Sequence, residues 1–243
     1  MKRILNIAHR GASAYEPENT LWAFKRAIEM GADIIELDVR KSADGYLVVF
    51  HDSTTLRFNG KSHKISNLSL SELKKIKLPK GEKISTLKEV FNFLKGKVGI
   101  VIEIKVKGIE KEVIDLVKEF NLKDKVIISS FIPEMVRKIK KIDNSFKTGI
   151  IWGLKEYKKN LITSTKSQLK TLKEVRADFL FPLFIFVRKS MVKKIKDSGF
   201  KIIPWTINSE LIAKRLVDWG IDGIISNKPD MVRKILAKKA KSE

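Results

Sequence analysis

The sequence contains no cysteine, which excludes disulfide bridges, thiolate metal ligands and cysteine nucleophiles. It also lacks the apolar run of roughly 18 residues that a membrane-spanning helix needs. Its longest run, Phe179–Val187, has nine residues and includes Pro182. The N-terminal residues lead straight into a strand-like segment, Ile4–Ala8, without the apolar core of a signal peptide. These absences predict a cytoplasmic protein without a transmembrane segment.

Nucleotide-binding motifs are also missing. No G-x-G-x-x-G follows the first strand-like segment, and no G-x-x-x-x-G-K-[ST] occurs anywhere in the chain. These motifs supply the backbone amides that cradle phosphates in the common nucleotide-binding folds. Nothing in the sequence therefore indicates a nucleotide-binding fold.

Acidic residues are few relative to basic ones, with 28 Asp and Glu against 50 Lys and Arg, so the net charge is +22. The lysines are spread along the chain, and the only basic cluster at an end is Lys238–Lys241. Because no basic stripe alternates with stacking aromatic residues, we expect no nucleic-acid partner. The positive field would favour an anionic substrate and allows transient contact with a membrane surface. No oligomeric state follows from the sequence.

The chain alternates between strand-like and helix-like segments throughout its 243 residues. Repeated strand–helix units imply a parallel sheet covered by helices, and eight of them in this length favour one closed (β/α)₈ TIM barrel spanning residues 1–243. The eight predicted strands are Ile4–Ala8, Asp33–Arg40, Val98–Lys105, Val126–Ser130, Lys147–Ile151, Phe179–Phe181, Lys201–Trp205 and Gly223–Ser226.

A small insertion follows the second of these strands. Asp44 and Gly45 predict a tight turn, after which Tyr46–Phe50 reads as an antiparallel hairpin partner. Residues of about 52–85 are then polar, which predicts an excursion with little core and one short helix around Ser71–Ile76. The barrel resumes with a helix that Ser85 and Thr86 are expected to cap.

Two carboxylates follow each other at alternate positions of the second strand. Side chains on a strand alternate between its two faces, so Glu36 and Asp38 point the same way. Placing two carboxylates side by side on a buried strand is unfavourable unless a cation or a proton lies between them. Glu103 and Lys105 repeat the spacing on the third strand. The chemistry of a (β/α)₈ barrel sits at the carboxyl ends of its strands, so these groups should meet at one mouth.

Two histidines and an arginine are predicted at the same mouth. His9 and Arg10 end the first strand and His51 ends the hairpin partner, while Trp205 ends the seventh strand. A ligand set made only of carboxylates suits Mg²⁺ or Ca²⁺. Cations beside it suit a phosphate ester, and two histidines can act as general acid and base. This pattern predicts metal-assisted hydrolysis of a phosphoester; a salt-bridged strand end is the competing interpretation of the carboxylates.

These residues resemble the signature of glycerophosphodiester phosphodiesterases. The motifs that carry the resemblance are His9-Arg10-Gly11, Pro17-Glu18-Asn19-Thr20, Glu36-x-Asp38, His51-Asp52, Ser85-Thr86-Leu87, Glu103-Ile104-Lys105, Ser130-Phe131, Trp205-Thr206-Ile207-Asn208 and Gly223-Ile224-Ile225-Ser226-Asn227-Lys228-Pro229. They cover nearly the whole chain. After His51-Asp52, however, the family's usual Thr-Leu-Asp-Arg-Thr is replaced by residues 55–59, Thr-Leu-Arg-Phe-Asn.

The resemblance implies hydrolysis of a small glycerophosphodiester to sn-glycerol 3-phosphate and an alcohol. It assigns one divalent cation, Mg²⁺ or Ca²⁺ with Mn²⁺ as a further candidate. The implied roles are metal ligation by Glu36, Asp38 and Glu103, acid–base catalysis by His9 and His51, and phosphate binding by Arg10 and Lys105. Trp205 is expected to form part of the wall of the substrate pocket. Which histidine is the acid stays open, as does attack by water or by the glycerol 2-hydroxyl.

Two alternatives accompany this prediction. Phe184 or Phe186 could line the mouth as an apolar surface that binds an acyl chain. This would favour lysophospholipids as substrates and a lysophospholipase D-type activity. Otherwise, the apolar segment that contains them is the sixth strand and the start of its helix. The second alternative is a non-catalytic basic barrel that binds an anionic polymer or a membrane, and the full set of metal and acid–base residues argues against it.

Overall fold

The strands form a closed barrel. The structure, a computed structural model, describes residues 3–94, 96–154 and 165–242. Within these ranges the strands are β1 (Leu5–His9), β2 (Ile34–Lys41), β3 (Leu47–Val49), β4 (Ser85–Thr86), β5 (Gly99–Ile104), β6 (Val126–Ser130), β7 (Lys147–Trp152), β8 (Phe179–Pro182), β9 (Lys201–Ile202) and β10 (Gly223–Ser226). Eight of these ten strands pair in parallel in the order β10-β1-β2-β5-β6-β7-β8-β9.

The two ends of this strand order meet through backbone hydrogen bonds. The amide of Asp222 donates to the carbonyl of Ile202 at 2.9 Å, and the amide of Ile225 donates to that of Pro204 at 3.1 Å. The sheet therefore closes on itself, and the predicted (β/α)₈ TIM barrel is confirmed. The predicted seventh strand, Lys201–Trp205, is regular only over Lys201–Ile202: Pro204 has no N–H to donate toward β10, although the amide of Trp205 still donates to the carbonyl of Pro182 at 3.1 Å.

Helices cover the outside of the barrel in the described ranges. They are α1 (Leu21–Glu29), α2 (Leu56–Asn59), α3 (Leu70–Lys74), α4 (Leu87–Leu94), α5 (Glu110–Glu119), α6 (Pro133–Ile142), α7 (Thr165–Val175), α8 (Lys189–Asp197), α9 (Glu210–Asp218) and α10 (Pro229–Ser242). None of these described helices is both long and apolar enough to cross a membrane.

Local sequence explains where several helices begin. Thr20 caps α1, since its hydroxyl accepts a hydrogen bond from the amide of Ala23. Thr86 caps α4 in the same way and also belongs to β4, so the predicted capping position is part of a short strand too. The helix expected from Val187 begins at Lys189, because Phe184–Phe186 forms a separate 3₁₀ turn.

The hydrophobic core is divided by the barrel wall. Outward-facing strand residues such as Ile35, Leu37 and Ile102 pack against the helices. Inward-facing residues fill the barrel below its mouth; the buried ones are Ile7, Val101, Ile127, Ile151, Phe179, Phe181, Ile203 and Ile225. Gly149 makes room among them, since a Cβ there would lie 2.1 Å from Cε2 of Phe181. The interior is thus a packed apolar floor under the strand ends.

The insertion after β2 differs from the sequence prediction in one respect. Its strand β3 pairs antiparallel with β2, as expected for a hairpin, and its helix α3 overlaps the predicted one. It was expected to have little core, which is wrong. It has a hydrophobic cluster of its own, formed by Val48, Phe50, Ile65, Leu73, Ile76, Leu78 and Ile84. These apolar residues are separated by polar ones in the sequence and meet only after the segment folds.

Candidate active site

Three carboxylates meet at the mouth of the barrel. Glu36 and Asp38 come from β2, and the parallel register sets Asp38 directly beside Glu103 on β5. One oxygen of each carboxylate lies within 4.8 Å of one oxygen of each of the others. All three residues are buried, with exposed fractions of 5%, 1% and 8%. The i, i+2 spacing on one strand and the lateral register between two strands therefore produce one compact acidic cluster.

The protonation preferences of the three carboxyls diverge. Burial raises the pKa of Glu36 well above its ordinary value, and the neighbouring carboxylates of Asp38 and Glu103 raise it further. Burial and Asp38 also raise the pKa of Glu103, to about 7, against the opposing effect of Lys105. Burial would raise the pKa of Asp38 too, but Lys105 and Arg10 outweigh it and bring that pKa to about 2. Without a cation, the cluster therefore keeps Asp38 ionised and favours protons on the two glutamates.

Arg10 and Lys105 lie against this cluster. The backbone amide of Arg10 donates to Oε2 of Glu36 at 3.0 Å, and its Nε lies 3.2 Å from Oδ2 of Asp38. Its guanidinium also donates to both carboxylate oxygens of Glu18. Nζ of Lys105 donates to Glu103 and lies 3.0 Å from Oδ1 of Asp38. Burial would lower the pKa of Lys105, but Asp38 and Glu103 outweigh it and raise that pKa.

These contacts do not satisfy the cluster as a salt-bridged strand end would. Two cations face three carboxylates, and Glu36 receives a backbone amide rather than a charged side chain. Among the described residues, no donor makes a hydrogen bond to the buried Oδ1 of Asp38, although Lys105 lies near it. A set of buried oxygen ligands with surplus negative charge fits a hard divalent cation. The residues at this site could hold one.

His9 projects into the site with a fixed tautomer. Its Nδ1 donates to Oδ1 of Asn227 at 2.7 Å, because an amide oxygen can only accept. The other nitrogen, Nε2, lies 4.0 Å from Oε2 of Glu36. Burial and the charge of Arg10 lower the pKa of His9 to about 4. The imidazole is therefore neutral near pH 7 and presents an unprotonated Nε2 to the site.

His51 has a carboxylate rather than an amide as its partner. Its Nδ1 donates to Oδ1 of Asp52 at 2.8 Å, and Asp52 also accepts from Nε of Arg57 at 2.8 Å. Burial lowers the pKa of His51, while Asp38 and Asp52 oppose that effect. The carbonyl of His51 accepts two hydrogen bonds from Arg40, at 2.9 and 2.8 Å. Its position is thus fixed from both the ring and the backbone.

Two adjoining cavities open around these groups. The inner one has a volume of about 90 Å³, and both histidines line it. The outer one has a volume of about 560 Å³ and is lined by His51 but not by His9. Trp205 lines the inner cavity, where its ring meets Phe131 edge-on at 5.7 Å and its Nε1 donates to the carbonyl of Phe181 at 2.8 Å. The predicted pocket-wall position of Trp205 agrees with this placement.

Several residues of the site were not recognised in the sequence as functional. Asn19 belongs to one of the motifs quoted above but has no role assigned from the sequence, yet its Nδ2 donates to Oδ2 of Asp38 at 2.8 Å. Asn227, Arg40 and Arg57 hold the two histidines or their partners. Arg40 could have been found, because it lies two positions after Asp38 on one strand. The others lie outside the strand ladders, where residue spacing does not indicate which way a side chain points.

The apolar segment after β8 does not line the site. Phe184 packs against the layer between the sheet and the helices, with Phe186 two residues further in the same 3₁₀ turn. Neither residue lines the inner or the outer cavity. The side chains that the structure brings together are therefore the eight predicted polar and aromatic residues with their loop partners, and no acyl-binding phenylalanine of this segment joins them.

Known proteins resemble this chain over nearly its full length. A glycerophosphodiester phosphodiesterase from Caldanaerobacter subterraneus is 37% identical over 250 residues, covering 97% of this chain and 99% of that relative. A glycerophosphodiester phosphodiesterase structure from Thermotoga maritima shares 31% identity with a TM-score of 0.82, covering 97% of this chain and 100% of that one. A phosphodiesterase from Oleispira antarctica, solved with the product sn-glycerol-3-phosphate, shares 26% identity with a TM-score of 0.84, covering 95% and 96%.

The sequence profile of the glycerophosphoryl diester phosphodiesterase family matches residues 9–231. The match begins at His9, the first residue of the site, and extends beyond Asn227, the last one described above. It therefore includes every strand end that contributes to the carboxylate cluster and its histidines. The chain belongs to the glycerophosphoryl diester phosphodiesterase family.

Proposed function

We propose that this enzyme hydrolyses glycerophosphodiesters to sn-glycerol 3-phosphate and an alcohol. One observation carries the proposal: two carboxylates of the three-membered cluster line one cavity at the carboxyl ends of the strands, together with two histidines and two cationic side chains. The relative from Caldanaerobacter is named for this activity, and the Oleispira structure contains its glycerol phosphate product. The proposal therefore combines the chemistry of the site with family membership.

We propose Glu36, Asp38 and Glu103 as the ligands of one divalent cation, Mg²⁺, Ca²⁺ or Mn²⁺. When bound, such a cation neutralises phosphate oxygens and stabilises the negative charge that develops on them. The Arg10 guanidinium and the Lys105 ammonium add positive charge beside the same cluster and bind the phosphate. Asn19 keeps Asp38 oriented through its 2.8 Å hydrogen bond.

The two histidines have partners that suit different proton transfers. His9 donates to an amide and keeps Nε2 unprotonated, which fits a general base that removes a proton from the attacking hydroxyl. His51 donates to Asp52, whose carboxylate stabilises the imidazolium form, and this fits the acid that protonates the departing alkoxide. The attacking hydroxyl belongs either to water or to the glycerol 2-position. Trapping a cyclic glycerophosphate would identify the second route.

Lysophospholipids are the alternative substrates to be tested. The sequence interpretation that favoured them relied on Phe184 or Phe186 at the mouth, and neither lines a cavity. The substrate panel should therefore include glycerophosphocholine, glycerophosphoethanolamine and lysophosphatidylcholine. We expect the water-soluble diesters to be cleaved well. Turnover of lysophosphatidylcholine alone would instead assign a lysophospholipase D-type activity.

The deciding experiment combines that panel with metal removal. Chelation by EDTA should abolish cleavage, and Mg²⁺, Ca²⁺ or Mn²⁺ should restore it. Glu36→Gln, Asp38→Asn and Glu103→Gln should weaken metal binding in calorimetry, whereas His9→Ala and His51→Ala should lower turnover and leave metal affinity nearly unchanged. The matched control is Glu134→Gln, which alters an exposed carboxylate on α6. Full activity in EDTA, or equal loss of metal in all five variants, would contradict the proposed roles.

A further inference from the structure

The outer cavity contains a cationic side chain that makes no direct ion pair with a carboxylate of the described residues. Arg40 lines this cavity together with His51, Arg57 and Lys105. We infer that Arg40 selects the alcohol part of the substrate, favouring alcohols with an anionic group over those with a cationic group. The inference rests on the proposed diesterase function and adds to it the chemical class of the preferred substrate.

The sizes of the two cavities indicate which end of the substrate each one receives. The inner cavity, of about 90 Å³, is enclosed by barrel side chains such as Ile151, Phe181 and Ile225, and has room for only a few heavy atoms. The outer cavity is about 560 Å³. Every glycerophosphodiester shares a three-carbon glycerol, whereas its alcohol varies in size. Glycerol therefore fits the inner cavity, and the alcohol fits the outer one.

The phosphate belongs at the boundary between the two cavities. His51, Glu103 and Lys105 line both of them, so they mark the place where an ester that spans both cavities would cross. An alcohol attached to such a phosphate leaves on the outer side, past His51. Arg40 holds the carbonyl of that histidine and lines the same outer wall. Its charge is therefore adjacent to the departing alcohol.

The other cations of the outer cavity are already paired. Arg57 forms ion pairs with Asp52 and Glu18. Lys105 forms ion pairs with Glu103 and Asp38. By contrast, within the described parts of the chain no carboxylate forms an ion pair with Arg40; its Nε and Nη2 donate to the neutral carbonyl of His51. Asp38, Glu103 and Asp52 act on the Arg40 charge only from a longer distance, so its guanidinium has no carboxylate in direct contact on this wall.

A guanidinium that no carboxylate contacts can discriminate between alcohols by their charge. It attracts a carboxylate or phosphate on the alcohol and repels a quaternary or primary ammonium group. The cavity is open to solvent, so the interaction is screened, and we expect about threefold to tenfold discrimination in kcat/KM per unit charge at low salt. This effect should decrease as ionic strength rises.

The test uses glycerol phosphodiesters whose alcohols have similar reach and different charge. Suitable alcohols are choline, its neutral isostere 3,3-dimethylbutanol, and the anion 3-hydroxypropanoate. For the wild-type enzyme we expect kcat/KM to fall from the anionic to the neutral to the cationic diester. Because these two alcohols differ by two charge units, Arg40→Gln should reduce the ratio of anionic to cationic kcat/KM by about tenfold to a hundredfold. Arg40→Lys keeps the charge and should retain most of that ratio.

The matched control is Arg26→Gln, which removes one exposed arginine from the last turn of α1 and should leave the ratio unchanged. Equal kcat/KM for all three diesters in the wild type would overturn the inference while leaving the diesterase proposal intact. A uniform loss in Arg40→Gln would show that Arg40 only positions His51, and would also overturn it. If the wild type cleaves none of the three diesters with any divalent cation, the proposed function fails and the inference fails with it.

Discussion

Removing the divalent cation should make the stability of this protein depend on pH in a specific direction. Without a cation, burial and Asp38 raise the pKa of Glu103 from 4.5 to about 7, and the pKa of Glu36 is raised as well. A group whose folded pKa is raised contributes stability that is fully present below its unfolded pKa. That stability is lost as pH rises through the folded pKa. In the metal-free protein, the stability that these glutamates contribute should therefore be lost between about pH 4.5 and pH 7.

The magnitude follows from the shift at Glu103. A change from 4.5 to about 7 corresponds to about 3 kcal/mol of stability. For a chain of this size, 1 kcal/mol changes Tm by about 2–4 °C, so Glu103 should lower the Tm of the metal-free form relative to the metal-bound form by about 6–12 °C over this range. Asp38 has its pKa lowered to about 2, so its stabilising contribution is constant across the same window.

Thermal unfolding at pH 5 and pH 8 would measure the effect, with excess EDTA or with saturating Mg²⁺ or Ca²⁺. The informative quantity is the Tm difference between the two forms, which should widen as pH rises. His9 has a lowered pKa and titrates in the opposite direction, but it contributes to both forms. The control Glu103→Gln should narrow the pH-dependent part of the difference. A difference that is equal at both pH values would refute the reasoning about this cluster.

Two further predictions concern the histidines and the barrel floor. A nitrophenyl ester leaves as a stable anion and needs little protonation, so His51→Ala should retain a larger fraction of its activity on such an ester than on glycerophosphocholine, whereas His9→Ala should lose activity on both. Equal losses in steady-state assays would contradict the assignment of His51 as the acid. Gly149→Ala places a Cβ 2.1 Å from Cε2 of Phe181, which should lower the free energy of unfolding by about 1–3 kcal/mol in urea titrations. An unchanged urea midpoint would show that β7 can move away from this ring.

The barrel could be predicted because its strands carry local signals. Apolar, β-branched runs recur between helical segments, and glycine or proline ends many of them. The predictions are wrong where contacts distant in sequence determine the end of a strand or the burial of a side chain. Trp205 continues the apolar pattern, but Pro204 has no N–H to donate toward β10, so closure there depends on single backbone hydrogen bonds. The core of the insertion was missed because residues such as Ile65 and Leu73 are isolated in the sequence.

The carboxylate cluster could be predicted from spacing, and the loop contacts could not. Strand geometry alone places Glu36 and Asp38 on one face and Glu103 beside them. Arg10 and Asn19, by contrast, adopt positive φ angles of 53° and 59°, which are uncommon for residues other than glycine. Such conformations depend on the contacts that the two residues make, here with Glu36 and Asp38. No local sequence pattern predicts them.

The part of the insertion that follows His51 and Asp52 is built so that it can change while the carboxylate cluster stays in place. The insertion leaves the barrel through β3 and returns through β4, where Val49 pairs with Ser85, so its two ends lie side by side. It has its own hydrophobic cluster and contributes Leu56 and Arg57 to the outer cavity. A segment with adjacent ends and a separate hydrophobic core can be exchanged as one unit between homologous enzymes. Swapping residues 53–84 while keeping His51 and Asp52 offers a route to diesterases with new alcohol preferences on the same barrel.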